Sequence, residues 1–213
     1  MIKSVLKNKD NIKFIGRTSF CENGAFVYYS AAGIEFNAKI NGILAVRLQA
    51  TRIDPSKSGG IYFKVFLNDK FHKKIHITNE LETEFVLAND LCGEYNVKLI
   101  RETEFVYGSV LVSEIIFKGS FLEKPQDKEL YIEFIGDSIT CGYGLLYNGQ
   151  KTITGNRPSI SSATMGYAYK TAKSLNADYS LISQSGISAY VGYVREYNMK
   201  EIYPYICKRY SEE

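Results

Sequence analysis

YIEFIGDSITCGYG, residues 131–144, decides how this chain is read. Tyr131 to Ile135 is rich in β-forming side chains and reads as a strand buried on both faces. Gly136-Asp137-Ser138 breaks the strand, which puts Ser138 where a strand hands over to a helix. A hydroxyl there projects from the C-terminal end of a sheet, and a helix N-terminus favours negative charge beside it. Those are the surroundings a nucleophilic serine needs. The bland alternative is a helix N-cap, a position serine favours without any chemistry.

The residues after this stretch suggest a helix starting near Ser138, then a loop rich in Gly, Asn and Ser over 147–162. A helix over 164–176 follows, with Ala168, Ala172 and Leu175 on one face and Met165 nearby. A strand over 179–184 and a last helix near 200–210 complete the series. Strand, crossover helix and strand make a parallel βαβ unit. Parallel strands deliver their loops to one sheet edge, so Ser138 should face Ser183-Gln184-Ser185-Gly186-Ile187-Ser188. A glycine there lets the backbone approach a bound group and offer an N–H. With the N–H of Ser138, that makes two of the donors an oxyanion hole requires.

Before residue 131 the pattern is different. Alternating segments at 25–30, 33–40, 42–50, 60–67, 73–78, 83–88, 95–102 and 110–117 read as short strands, parted by turn residues such as Ser58-Gly59-Gly60 and Asn68-Asp69. Many strands with almost no helical period argue for an antiparallel β-sandwich of the jelly-roll kind over 1–120. Phe121 to Leu130, polar and containing Pro125, reads as the linker. The fold expected is therefore two domains, a jelly roll followed by the first part of a flavodoxin-like parallel α/β domain over 131–213.

At these residues the chain resembles the SGNH (GDSL-like) hydrolases. Phe134-Ile135-Gly136-Asp137-Ser138-Ile139-Thr140 matches their first block and Gly186 the glycine of their second. The likeness is closer to carbohydrate esterase family 2, bacterial acetylxylan esterase-like enzymes with a jelly roll before the SGNH domain. It extends to Gly142-Tyr143-Gly144, to Leu175-Asn176-Ala177-Asp178-Tyr179 and to Tyr203-Pro204-Tyr205. The resemblance implies that Ser138 is the nucleophile and that the N–H groups of Ser138 and Gly186 hold the oxyanion. Gly136 and Asp137 would support the loop, and the substrate would be an acetylated carbohydrate, with no metal or cofactor.

The family's third donor, an Asn in a Gly-x-Asn-Asp block, and its base, a His in an Asp-x-x-His block, have no counterpart here. No histidine follows Ser138. A serine hydroxyl without a base is a weak nucleophile, and a missing donor costs a further ~10²–10³ in rate. The expectation is a fragment that is a very poor esterase alone, truncated or completed by a second chain. Its strand 131–135, central in the complete sheet, would leave one edge and apolar surface uncovered. The alternatives are a non-catalytic carbohydrate-binding jelly roll and half of a split enzyme.

Composition is globular: 45% hydrophobic, 23% charged and four prolines in 213 residues, with a net charge of +3 spread along the chain. No basic block points to nucleic acid or a membrane. The four cysteines form no metal-ligand spacing. MIKSVLKNKDNIKF lacks the apolar core of a signal peptide, which points to the cytoplasm, with secretion left open if a leader is missing. His72 and His76, the only histidines, share a strand face with Lys74 that reads as solvated; a metal pair or a base reaching Ser138 are the sharper readings. Gly144 to Thr152 imitates a phosphate loop, but Gln150 separates Gly149 from Lys151, which excludes nucleotide binding. Tyr143, Tyr147, Tyr167 and Tyr190 are candidates for a sugar pocket, or for core packing. Arg157 and Arg195 are candidates for sugar hydroxyls, or plain loop charges.

Overall fold

The structure, a computed structural model, describes residues 1–53, 60–149, 157–192 and 196–209. Nine strands form one antiparallel sheet: β1 (Ile2–Ser4), β2 (Ile12–Ile15), β3 (Thr18–Cys21), β4 (Gly24–Val27), β5 (Gly33–Thr51), β6 (Ile61–Leu67), β7 (Lys70–Ile77), β8 (Thr83–Arg101) and β9 (Ser109–Phe121). Their order is β3-β4-β9-β5-β8-β6-β7, with β1 added to β9 and β2 to β5. A separate parallel pair follows, β10 (Tyr131–Gly136) and β11 (Asp178–Ser183), with α1 (Ser138–Cys141) and α2 (Tyr167–Ser174) between them and α3 (Met199–Ile202) after.

The long strands correct the sequence reading. Segments 33–40 and 42–50 are one strand, β5, and segments 83–88 and 95–102 are one strand, β8. The break expected between 40 and 42 is a bend: Gly42 has φ +95° at a register shift between β5 and its neighbours. Opposite the bend, Ile40 pairs with Gly93 (φ +142°) on β8 and with Gly119 (φ +136°) on β9. A Cβ on Gly119 would lie 1.9 Å from the Lys39 carbonyl, so only glycine fits there. The Asn68-Asp69 turn is as expected, with both residues at positive φ in the two-residue hairpin from β6 to β7. Strands β1, β2 and β3, of three or four residues each, were not anticipated.

Alternate residues of the long strands bury Phe36, Val46, Leu48, Phe63, Val97, Leu99 and Val112 in one core. The parallel pair joins that core through Ile182, and a smaller cluster packs Ala168, Tyr169 and Leu181 against Ile15 and Ile100. Residues 122–130 carry no regular structure but are fastened. The ammonium of Lys13 reaches Asp178 at 2.6 Å and the Gln126 carbonyl at 2.8 Å, and Lys128 N–H donates to Asp178 at 2.8 Å.

Other expectations change as well. Strand β10 is not buried on both faces: Tyr131 is 59% and Ile135 49% exposed, because only β11 pairs with it among the described residues. In the second helix Ala168 and Ala172 are buried, whereas Leu175 and Met165 lie outside its span and are exposed. The last helix is a single turn with a capping box between Asn198 and Glu201. Ser58-Gly59, Gln150 to Thr152, Arg195 and the Arg157 side chain lie outside the described residues. Among the described residues no helix is long and apolar enough to cross a membrane.

Candidate active site

Parallel pairing brings the two predicted loops together. Gly136 is opposite Ser183 at the last rung, and Gln184 N–H donates to the Gly136 carbonyl at 3.3 Å. From there the chains diverge, one into Asp137-Ser138 and one into Ser185-Gly186. A cleft of about 600 Å³ opens between them, bordered by Asp137, Ile139 and Thr140 on one side and by Ile187 and Ser188 on the other, with Tyr167 at its wall. Ser138 and Gly186 are half-buried and do not themselves line the cleft; their sequence neighbours Asp137, Ile139 and Ile187 do.

The local geometry rules out the N-cap reading of Ser138. The cap is Asp137, whose carboxylate accepts the Ile139 N–H at 3.0 Å, and Ser138 is the first residue inside α1. Its hydroxyl has no protein hydrogen-bond partner among the described residues. The helix itself is only four residues and ends at Gly142, φ +73°, so little macrodipole stands behind the serine. Any charge stabilisation there comes from individual N–H groups.

Two glycines are sterically required. A Cβ on Gly136 would lie 2.1 Å from Thr140 Oγ1, which in turn is 3.0 Å from the Tyr167 hydroxyl. Gly186 has φ +79° and follows Ser185 in a turn closed by Ile187 N–H donating to the Gln184 carbonyl at 3.2 Å. The N–H groups of Ser138 and Gly186 have no protein acceptor among the described residues, which leaves both available to a ligand. Ser188 Oγ, on the cleft wall, is buried without a partner among the described residues.

The sequence reading missed the polar segment that holds one of the two loops. Arg101, Glu102, Thr103 and Glu104, at the end of β8, are all buried. The Arg101 guanidinium donates to the carbonyls of Val27, Thr103, Glu104 and Gly108 at 2.6–3.0 Å. Glu102 accepts from Ser162 Oγ and from Thr164 N–H and pairs with Lys64 at 3.1 Å. Glu104 accepts from both the N–H and the hydroxyl of Ser185 at 2.5 Å. Burying such charges is costly unless they are bonded this fully. Charged residues in a segment that otherwise reads as buried strand were the available signal.

The other candidates do not gather at the cleft. Of the tyrosines only Tyr167 borders it; Tyr143 is half-buried elsewhere and Tyr190 is 77% exposed. His76 stacks on Tyr62, ring centroids 4.1 Å apart, and Lys74 lies over the same ring, so that face of β7 is partly packed rather than solvated. Neither histidine borders the cleft. Among the described residues no cluster of His, Cys, Asp and Glu could hold a metal. A second cavity, about 310 Å³, is walled by Glu35, Asp69, Lys98 and Lys173, already paired with one another, and no serine, threonine or cysteine lines it.

No family model matches the chain. The curated relatives it matches include named esterases, and the solved structures it superposes on include family two carbohydrate esterases. It is 29% identical over 191 residues to the cellulase/esterase CelE of Acetivibrio thermocellus, covering 87% of this chain and 22% of that protein. It is 22% identical over 209 residues to an acetylxylan esterase / glucomannan deacetylase of Cellvibrio japonicus, covering 95% and 55%. Among solved structures, it superposes on a family two carbohydrate esterase from Clostridium thermocellum in complex with cellohexaose with a TM-score of 0.80 and 28% identity, covering 92% of this chain and 58% of that one. An acetyl xylan esterase (Est2A) from the rumen bacterium Butyrivibrio proteoclasticus gives a TM-score of 0.86 at 25% identity, covering 100% and 57%. The chain thus spans between about a fifth and just over half the length of the curated relatives.

Proposed function

We propose that this relative of the family two carbohydrate esterases carries the nucleophile half of a carbohydrate deacetylase site. Residues 1–120 would be the jelly-roll domain, 121–130 the link, and 131 onward the first part of an SGNH-type α/β domain. The observation that carries the reading is the pair of free N–H groups, Ser138 and Gly186, on two loops bordering one cleft. In this reading Ser138 Oγ attacks the acetyl carbonyl, the oxyanion accepts from the two N–H groups, and the sugar leaves as its alcohol. Water then releases acetate from the acyl-serine. The unpartnered Ser188 hydroxyl is suited to a substrate hydroxyl, and Tyr167 offers an aromatic wall.

The base is the part these residues do not bring. Both histidines sit on β7, away from the cleft, so in this reading neither takes the proton of Ser138. Among the described residues one edge of β10 has no strand partner, and Tyr131 and Ile135 on β10 are exposed, so a base carried by a partner chain could dock there.

Exogenous imidazole can stand in for that base. Hydrolysis of 4-nitrophenyl acetate and of acetylated xylan is measured with increasing imidazole for the wild-type chain and for Ser138→Ala. The expected result is equal, background rates without imidazole and a wild-type excess that saturates with substrate when it is added. Identical imidazole-dependent rates in the two proteins would overturn the assignment of Ser138. A saturable glycan affinity that survives Ser138→Ala and maps to residues 1–120 would instead favour a binding module.

A further inference from the structure

We infer that Glu104, supplied by the antiparallel sheet, is a positioning residue that sets the direction of the Gly186 N–H relative to Ser138; the inference rests on the esterase reading above. Gln184 to Ile187 is a tight turn, and Gly186 at φ +79° occupies its third position, as a type II turn requires. Types I and II differ by a flip of the central peptide, which reverses the N–H of the third residue. Which way Gly186 points is therefore a two-way choice that the turn does not fix by itself.

Ser185, the second residue of the turn, is held on two sides by one carboxylate. Its N–H and its hydroxyl both donate to Glu104, each at 2.5 Å, and bonds to a charged acceptor are the stronger kind. Glu104 is 2% exposed, and its backbone is held in place because its carbonyl accepts from Arg101 at 2.7 Å. Cys141 in α1 donates its thiol to Ser183 Oγ at 3.2 Å, one residue before the turn begins. Glu104 thus holds the residue before Gly186, while the Cys141–Ser183 bond ties the helix that begins with Ser138 to the end of the same strand. Glu104 therefore acts on one of the two donors that must converge on one oxygen, through Ser185.

The test combines amide exchange with kinetics in Glu104→Gln, Ser185→Ala and Ser185→Thr. In Glu104→Gln an amide nitrogen replaces one acceptor, so one Ser185 donor is lost while the volume is kept. The Ser185 amide should exchange at least about tenfold faster and the Gly186 resonance should shift, while amides of β5 and β8 stay as in wild type. The imidazole-assisted, Ser138-dependent rate should fall ~10–100-fold in kcat with KM nearly unchanged, less than the ~10²–10³ of losing a donor outright. Ser185→Ala should fall between, and Ser185→Thr, which keeps both donors, should restore both readouts.

Wild-type behaviour of the Ser185 and Gly186 amides in Glu104→Gln and Ser185→Ala would overturn the inference. So would loss of protection throughout β5 and β8, which marks a merely structural carboxylate. A wild-type chain with no Ser138-dependent rate would refute the esterase reading instead, and the exchange data alone would then decide whether Glu104 holds the turn.

Discussion

Gln184 N–H and the Gly136 carbonyl meet at 3.3 Å, just beyond the last paired rung of the parallel strands. Ser138 lies two residues past one partner and Gly186 two residues past the other. That single bond explains why loops far apart in sequence border one cleft, and it makes the register of β10 on β11 the determinant of the site.

Because Asp137 rather than Ser138 caps α1, the two residues should separate stability from activity. Asp137→Ala is expected to cost about 1 kcal/mol in urea unfolding, the usual value of an N-cap. Ser138→Ala should stay within about 0.5 kcal/mol of wild type while abolishing imidazole-assisted hydrolysis.

Gly136→Ala tests the close approach under the cleft. Its methyl would press on Thr140 Oγ1, a buried atom bonded to Tyr167, and overpacking of this kind costs about 1–3 kcal/mol. Equilibrium unfolding should show that loss, with the slope on denaturant unchanged.

Asp69, in the β6–β7 turn, pairs with Lys98 on β8 and Lys173 on α2 at 2.7 and 2.9 Å. Hydrogen bonds from Lys173 and then Lys98 lower its pKa to about 2. A lowered carboxylate pKa stabilises the fold above the unfolded value, near 3.9, and the effect disappears as pH falls through about 2. The Tm advantage of wild type over Asp69→Asn should be constant above about pH 4.5 and vanish towards pH 2. It should be small and reduced by salt, since the Asp69 carboxylate is more than half exposed.

Thiol reactivity should follow burial. Burial first, and then the nearby Glu104, push the Cys141 thiol well above its ordinary value. Cys92 is exposed, whereas Cys141 and Cys207 are buried. Iodoacetamide at about pH 8 should label Cys92 in the native protein and leave Cys141 and Cys207 unmodified until denaturant is added, as read by peptide mass mapping.

The sequence was most legible where the pattern is local. Alternation marked the segments that became β5, β6, β8 and β9, and the Gly-Asp-Ser break marked the site. What it could not convey was which glycines turn the chain and which only bend it, since Gly42 carries the positive φ that either needs. Strands of three or four residues, such as β1 and β3, are too short to show a period. Glu104 was hidden for a different reason: Ser185, its partner, lies 81 residues away, and nothing local to Glu104 announces that bond. The burial expected for β10 followed from its apolar residues, but burial depends on what pairs with an edge, and only β11 does so among the described residues.

The most direct measurement is covalent capture. The chain is incubated with a fluorophosphonate in the presence of imidazole, and the adduct is located by peptide mapping. The account predicts one phosphonyl group, on Ser138 in the peptide spanning 131–144, lost in Ser138→Ala and slowed in Glu104→Gln. Labelling at any other residue, or an unlabelled Ser138 under conditions where the folded protein persists, would contradict it.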